Sequence, residues 1–261
     1  MYCSIIGYPL NKPRSVPLWK NYFKRKNYKI EMFPIEVKKK DFHKYILKLK
    51  KKENFLATAV TMPFKKNIIK YIDKLDKLAK RSNSVNLVLK SNKKLYGYNT
   101  DIYGALESTK KINKKNIMIF GFGGAGSAIY CYFSQKYKTT KFWIVSSKKR
   151  TIIKHNKNTQ IKKKINNSIL KNIDLFINCS PLGSSLNSNY KCKTPLNINQ
   201  VKIMKKNSTV FDIVYKPKIT ILNKLCMKNN IKYINGLKMN TLQAKKALEI
   251  IDKHIKKKIT N

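Results

Sequence analysis

The run Gly121-Phe122-Gly123-Gly124-Ala125-Gly126 narrows the possible folds of this chain more than any other segment. It follows the apolar stretch Ile117 to Phe120 and precedes a helical pattern from about Ser127 to Gln135. Glycines at the first, third and sixth places of such a strand–turn–helix suit a dinucleotide phosphate site. Gly121 permits the tight turn, Gly123 lets the backbone approach a pyrophosphate, and Gly126 lets the helix pack close to the strand. The amide groups and dipole of the helix start then face the phosphates. Four of the chain's nine glycines fall within these six residues, so a plain strand-to-helix turn is the weaker reading. Gly121, Gly123, Gly124, Ala125 and Gly126 are the candidate cofactor-binding residues of this turn.

The next strand, Lys141 to Val145, indicates which dinucleotide. NAD sites place an acid about 20 residues past the motif to bond the ribose 2′-hydroxyl. Here the strand runs into Ser146-Ser147-Lys148-Lys149-Arg150, two hydroxyls and three bases with no acid. That set suits a 2′-phosphate, so NADP is expected, held by Ser146, Ser147, Lys148 and Arg150. Arg150 is one of only four arginines in the chain.

The turn sits within a longer alternation of apolar runs and helical spacing. Before it, strands are expected at Tyr2 to Gly7, Lys29 to Val37, Leu56 to Met62, Ser84 to Leu89 and Lys94 to Asn99, with a turn at Ser91-Asn92. Helices are expected at Val16 to Lys26, after Asp41 as N-cap, and at Asn67 to Ala79. A further helix, about Tyr103 to Asn113, leads to a second series. That series has strands at Asn116 to Phe120, Lys141 to Val145, Leu175 to Asn178, Thr209 to Val214 and Tyr233-Ile234. Leu237 to Ile255 is the last helix, with Leu242, Leu248 and Ile251 as core positions. Lys154 to Asn172 reads as loop with short elements. The result is an α/β fold with mainly parallel sheets.

Length and composition bound the function. At 261 residues the chain is one large domain or two small ones, and 42% hydrophobic residues suffice for cores. The formal charge of +46 would ordinarily point to nucleic acid or an anionic membrane. The base is almost all lysine, 54 residues against four arginines, and Asn and Ile are abundant. These residues have AT-rich codons, so the charge reads as mutational drift, and no nucleic-acid partner is expected. No apolar run is long enough to cross a membrane and no secretory leader is seen. Five scattered cysteines without a CxxC pair indicate neither a zinc site nor a disulfide framework, and a reducing cytoplasm fits. No metal site is expected.

Two further clusters end strands ahead of the glycine turn. Thr61-Met62-Pro63-Phe64-Lys65 ends one and Asn99-Thr100-Asp101 another. In doubly wound folds ligands bind outside the carboxyl ends of strands. A lysine and an aspartate meeting there would suit proton transfer. From spacing alone the plainer reading is the stronger one: one lysine among 54 is usually a surface lysine, and Asp101 suits a helix cap.

The ordered set of motifs resembles the shikimate dehydrogenase family nearly end to end. Gly7-Tyr8-Pro9 matches its GxP, and Ala59-Val60-Thr61-Met62-Pro63-Phe64-Lys65 its NVTxPxK segment. Ser84-Val85-Asn86-Leu87 is similar to AVNT, and Gly97 to Asp101 to GxNTD. Asn178-Cys179-Ser180-Pro181-Leu182-Gly183 looks like NATPLG. Asp212 to Pro217 matches D-x-x-Y-x-P, and Asn235 to Ala244 the DGxxMLxxQA segment. The resemblance implies NADP-dependent interconversion of 3-dehydroshikimate and shikimate, on the way to chorismate and the aromatic amino acids. It implies a substrate domain from residues 1–102 and 236–261, with a Rossmann-like NADP domain, 103–235, inserted between. The C-terminal helix returns to the substrate domain. By the same mapping Lys65 and Asp101 are the catalytic pair. Ser15, Thr61, Asn86, Tyr215 and Gln243 are substrate-binding, and Gly236 and Met239 lie near the nicotinamide. A small-molecule substrate and a monomer or homodimer are implied.

The chain departs from the family pattern in places. Pro13 stands where the first serine of a Ser-x-Ser pair is usual, leaving Ser15, with Arg14 as a further carboxylate contact or a surface residue. Ala59 replaces an asparagine, removing one amide from the expected substrate site. Alternatives are therefore a paralogue acting on quinate or another cyclic polyol acid, or a non-catalytic basic nucleic-acid-binding protein on the same fold.

Overall fold

The computed structural model describes residues 1–10, 12–147, 156–186 and 188–259. The chain divides into two compact units, Met1–Tyr103 with Leu242–Asn261, and Gly104–Thr241.

Unit 1 contains β1 (Tyr2–Gly7), α1 (Ser15–Arg25), β2 (Glu31–Glu36), α2 (Phe42–Lys51), β3 (Phe55–Val60), β4 (Lys74–Leu75), α3 (Lys77–Ser82), β5 (Leu87–Ser91) and β6 (Lys94–Tyr98). Helix α4 (Thr100–Ser108) begins at its end. The strand order is β2-β1-β3-β5-β6-β4. β1 runs parallel to β2 and β3, because α1 and α2 provide the crossovers a parallel pairing needs. β5 is antiparallel to both neighbours, so this sheet is mixed. β5 and β6 form a hairpin whose turn residues, Asn92 and Lys93, have φ of 47° and 61°. Two left-handed residues match the twist of paired strands. The turn is thus one residue later than expected, and Ser91 stays in the ladder opposite Lys94.

Both faces of this sheet are covered. Cys3, Met32, Ala57 and Leu89 pack with Trp19 and Phe23 of α1 and with Ala247, Leu248, Ile251 and Ile255 near the C-terminus. On the other face Ile6, Val60 and Val88 pack with Phe42, Ile46 and Leu49 of α2 and with Phe64. Phe42 and Phe64 stack with centroids 4.1 Å apart.

Two local expectations fail here. The span 67–79 is not one helix but a 3-10 turn at Asn67–Tyr71, then β4, then the start of α3. Its aspartates accept hydrogen bonds from backbone groups. Asp73 accepts from Leu95 N at 2.7 Å, and Asp76 caps α3 by accepting from Ala79 N at 2.7 Å. Asp41 does not cap α2 through its side chain. It closes a 3-10 turn, Lys39–Asp41, with φ −92° and ψ −8°, rather than the extended conformation of an N-cap.

Unit 2 contains β7 (Asn116–Phe120), α5 (Gly124–Lys136), β8 (Lys141–Val145), β9 (Thr159–Lys162), α6 (Asn167–Leu170), β10 (Leu175–Asn178), α7 (Ser188–Lys191), α8 (Ile198–Lys202), β11 (Thr209–Asp212), α9 (Ile221–Lys228) and β12 (Lys232–Asn235). Helix α10 (Gly236–Ile259) begins here, and from Leu242 onward its residues belong to unit 1. The order β12-β11-β10-β7-β8-β9 is parallel throughout. This is the doubly wound Rossmann arrangement, and its strand order reverses between β7 and β10. Met118, Phe176 and Val210 pack on one face with Leu170, Leu196, Val201 and Leu222. Tyr130 of α5 meets Phe142 edge-on at 5.6 Å, and its hydroxyl lies 2.9 Å from Thr159 Oγ1.

Helix α4 starts and stops earlier than the expected span 103–113. Asn99 caps it, accepting from Ile102 N at 3.0 Å. After it, Lys114 Nζ donates to the carbonyls of Thr109 and Ile112. Helix α5 likewise begins at Gly124, inside the glycine run, rather than at Ser127. β11 ends at Asp212, two residues short of expectation. The short elements expected in the lysine-rich stretch are β9 and α6, the latter capped by Asn166. Among the described residues no helix is long and apolar enough to cross a membrane.

Candidate active site

In unit 1 a tight backbone junction carries Lys65. Thr61 N donates to Ile6 O at 2.9 Å, and Tyr8 N donates to Met62 O at 2.9 Å. A Cβ on Gly7 would lie 2.4 Å from Thr61 Cγ2 and 2.9 Å from Met62 O, so only glycine allows this approach. Phe64, buried against Phe42, anchors the next residue, and Lys65 O accepts from Val85 N at 2.8 Å. With its backbone pinned, Lys65 reaches Asp101 in the first turn of α4. The Nζ to Oδ2 distance is 2.6 Å, and the side chains are 28% and 24% exposed. The pair is therefore accessible to a small ligand yet partly desolvated, which strengthens its attraction. The start of α4 also favours a carboxylate there.

The segment before Asp101 is held from beneath. Asn99 is buried and donates to Ser82 Oγ at 2.8 Å and Ser84 O at 2.7 Å. Its backbone N–H lies 3.3 Å from Asp76 Oδ1, and burial pushes the Asp76 carboxyl above its ordinary pKa. Asn86, just ahead of β5, accepts from Thr100 N at 2.7 Å and donates to Thr100 Oγ1 at 2.9 Å. Gln243 of α10 joins the group, its Oε1 3.3 Å from Asn86 Nδ2 and 3.2 Å from Thr100 Oγ1. Residues from three distant parts of the sequence thus meet in one amide–hydroxyl cluster beside Asp101. Thr100 was not among the expected site residues, although it stands between two that the motif flagged. Thr61 lies half-buried at the turn. Ser15 opens α1, and its hydroxyl is shielded from solvent with no hydrogen-bond partner among the described residues.

In unit 2 the parallel sheet brings several of the described candidates to one edge. The glycine run follows β7, Ser146 follows β8, Tyr215 comes three residues after β11, and Gly236 follows β12. Gly121 has φ +87°, and a Cβ there would lie 2.8 Å from Ser180 N. A Cβ on Gly126 would lie 2.1 Å from Gly121 O, so the helix cannot pack this close with any other residue. Gly123 and Gly124 differ: apart from their chain neighbours and the helix's own backbone, no atom of the described residues lies within 4 Å of a Cβ built on either. Open space above the start of a thirteen-residue helix, lined by bare backbone and Ala125, fits a pyrophosphate. Val145 pairs with Phe120, so Ser146 stands beside the glycine turn, and its N–H donates to Lys162 O at 3.1 Å. Ser147 is exposed. Lys148 and Arg150 lie outside the described residues. Lys162 ends β9 beside Val145. Gly236 starts α10 where a Cβ would lie 2.2 Å from Ile213 O, and Met239 is buried one turn on.

A doubly wound sheet with a glycine turn at its switch point, and a separate α/β unit presenting a lysine–aspartate pair, define a two-domain protein of the dinucleotide-binding class. Comparison with known proteins narrows the class. Residues 5–88 match the family described as shikimate dehydrogenase substrate binding domain. The chain is 31% identical over 249 residues to "Shikimate dehydrogenase (NADP(+))" of Clostridium botulinum (strain Loch Maree), covering 94% of this chain and 93% of that one. It is 33% identical over 218 residues to the protein of that name from Methanococcus maripaludis (strain C6), covering 79% and 76%. The crystal structure of shikimate dehydrogenase 1 from Peptoclostridium difficile superposes with a TM-score of 0.81 at 27% identity, covering 97% of this chain and 92% of the other. The chain belongs to the shikimate dehydrogenase family.

Proposed function

We propose that this chain interconverts 3-dehydroshikimate and shikimate with NADP, on the route to chorismate and the aromatic amino acids. Family membership supports the reaction, and the relatives' names carry the cofactor. The observation that bears most on mechanism is the 2.6 Å contact between Lys65 Nζ and Asp101 Oδ2. Unit 1 binds the substrate and unit 2 the cofactor.

When bound, NADPH supplies the hydride for the reacting carbonyl carbon. Lys65 donates a proton to the carbonyl oxygen, which becomes the hydroxyl; in the reverse direction Lys65 recovers it. Asp101 holds the ammonium in place and accepts a hydrogen bond from a neighbouring substrate hydroxyl. Asn86, Gln243 and Thr61 orient the ring through amide and hydroxyl groups, with Thr100 fixing Asn86. Tyr215 is a further substrate-binding residue, supported by its place in the family motif Asp212 to Pro217. Ser15 serves the substrate carboxylate once its hydroxyl turns outward, which also satisfies a polar atom otherwise left unpaired. Gly121, Gly123, Gly124, Ala125 and Gly126 hold the pyrophosphate by backbone groups. Ser146, Ser147, Lys148 and Arg150 take the 2′-phosphate, and Gly236 and Met239 border the nicotinamide. The chain works in the cytoplasm as a monomer or homodimer.

Purified protein with shikimate and NADP should show rapid growth of reduced-nicotinamide absorbance, and slower growth with quinate or with NAD. Turnover of quinate but not shikimate would overturn the substrate assignment and show that Ala59 has changed the site.

A further inference from the structure

Unit 2 buries a carboxylate that the proposed reaction does not use. Asp212 ends β11 with 0% exposure. Among the described residues no lysine or arginine forms an ion pair with it. Neutral donors satisfy it instead. Oδ1 accepts from Asn178 Nδ2 at 2.9 Å and from Val214 N at 3.0 Å. Oδ2 accepts from the Tyr233 hydroxyl at 2.8 Å, with the Thr220 hydroxyl at 3.4 Å. A buried carboxylate is a poor source of stability, since apolar packing in its place is commonly as stable or more so. Its value lies in what its four donors hold.

Those donors lead to three segments on the C-terminal edge of the sheet. Asn178 passes the restraint on: its Oδ1 accepts from Ser180 N at 3.0 Å and Ser180 Oγ at 2.7 Å, and its Nδ2 also reaches Leu182 O at 3.3 Å. Ser180 in turn packs against Gly121 of the glycine turn. Val214 directly precedes Tyr215, and its carbonyl accepts from Gly236 N at 3.3 Å. Tyr233 lies on β12, three residues before Gly236. One carboxylate therefore ties together the segments 179–183, 213–217 and 235–239.

We propose that Asp212 is the positioning residue of this edge, setting the Ser180 turn, Tyr215 and the start of α10 in one arrangement for the nicotinamide end of the cofactor. The inference rests on the reading of unit 2 as the NADP-binding unit.

Hydrogen–deuterium exchange on the full chain tests it, comparing the wild type with Asp212→Ala and Asp212→Asn. In Asp212→Ala, exchange should accelerate about tenfold or more in all three segments together, and much less in 116–130. kcat should fall about tenfold or more, while the NADPH dissociation constant changes less than about threefold, because the glycine turn keeps its own bonds. Asp212→Asn should restore most of both readouts. Its oxygen still accepts from Asn178 and Val214, and its amide can donate to the Tyr233 and Thr220 hydroxyls, which also accept. Faster exchange throughout unit 2 with normal turnover per folded molecule would make Asp212 merely structural and overturn the proposal. So would unchanged exchange in the three segments. Should Asp212→Ala fail to fold, Tyr233→Phe removes one donor only; it should loosen 232–239 and spare 116–130, and no loosening contradicts the proposal. A wild type inert toward shikimate would remove the proposed reaction, while the exchange result still decides the role of Asp212.

Discussion

The two units build their candidate sites by opposite means. Unit 2 offers a pyrophosphate bare backbone at a glycine turn, within six consecutive residues, and two of those glycines leave space that a side chain would fill. Unit 1 uses long polar side chains from the β3 turn, the residue before β5, the first turn of α4 and the middle of α10. Main-chain donors suffice for a pyrophosphate, so that part of a cofactor site is local in sequence. Proton transfer and ring recognition need side chains converging from several directions, so that site exists only after folding.

Breaking the lysine–aspartate pair should give the largest effect and should leave unit 2 untouched. Lys65→Ala and Asp101→Asn should each lower kcat by about two to four orders of magnitude. Steady-state kinetics check this; a loss under about fivefold would contradict the pairing. Second, Gly126→Ala should disrupt unit 2, because its Cβ would meet Gly121 O at 2.1 Å. Its melting temperature and NADPH affinity should both fall. Gly123→Ala, placed in open space, should fold normally and weaken NADPH alone. Equal melting losses in both variants would erase the distinction between the packing glycine and the ligand-facing one.

Third, Asn86→Ala should raise the shikimate KM about tenfold and leave the NADPH dissociation constant unchanged, since one amide worth about 1–2 kcal/mol is lost from unit 1. Titrating each ligand separately reads this out.

The smallest effect concerns pH. Burial, the largest influence, pushes the Asp212 carboxyl from 3.8 up to about 6, against four hydrogen bonds that lower it. Below 3.8 folded and unfolded chains both carry the proton. Between 3.8 and about 6 only the folded chain keeps it, so stability falls as pH rises. Above that range both are ionised and the loss is constant, at most about 3 kcal/mol. The titratable groups facing Asp212 are Tyr233, Cys179 and Cys226, and burial raises all three, Cys226 to about 12, so they stay neutral in this range. Melting temperatures of wild type minus Asp212→Asn should therefore decline by a few degrees from pH 4 to pH 7. A flat difference would show that the hydrogen bonds outweigh burial.

The same contrast governs how far each unit could be read in the sequence. The turn at Gly121 to Gly126 and the apolar strands β7, β8 and β10 stood at or near their expected bounds, because local chemistry decides them. The 67–79 segment departs from a single helix because Asp73 and Asp76 take partners from β6 and the residue after it. The meeting of Asn86, Thr100 and Gln243 has no local signature, since Gln243 is 157 residues from Asn86. Only the ordered family motifs brought Lys65, Asp101, Asn86 and Gln243 onto one list. In the sequence Asp212 is only the first residue of a motif, and its four donors converge on it only in the folded sheet.

The division of labour between the units is tested most directly on one sample of Lys65→Ala, by titrating NADPH and then measuring turnover of shikimate. Cofactor affinity within about twofold of wild type, with turnover down by about two orders of magnitude or more, is expected if unit 1 supplies the proton and unit 2 the binding. Turnover preserved, or affinity and turnover lost together, would contradict that division.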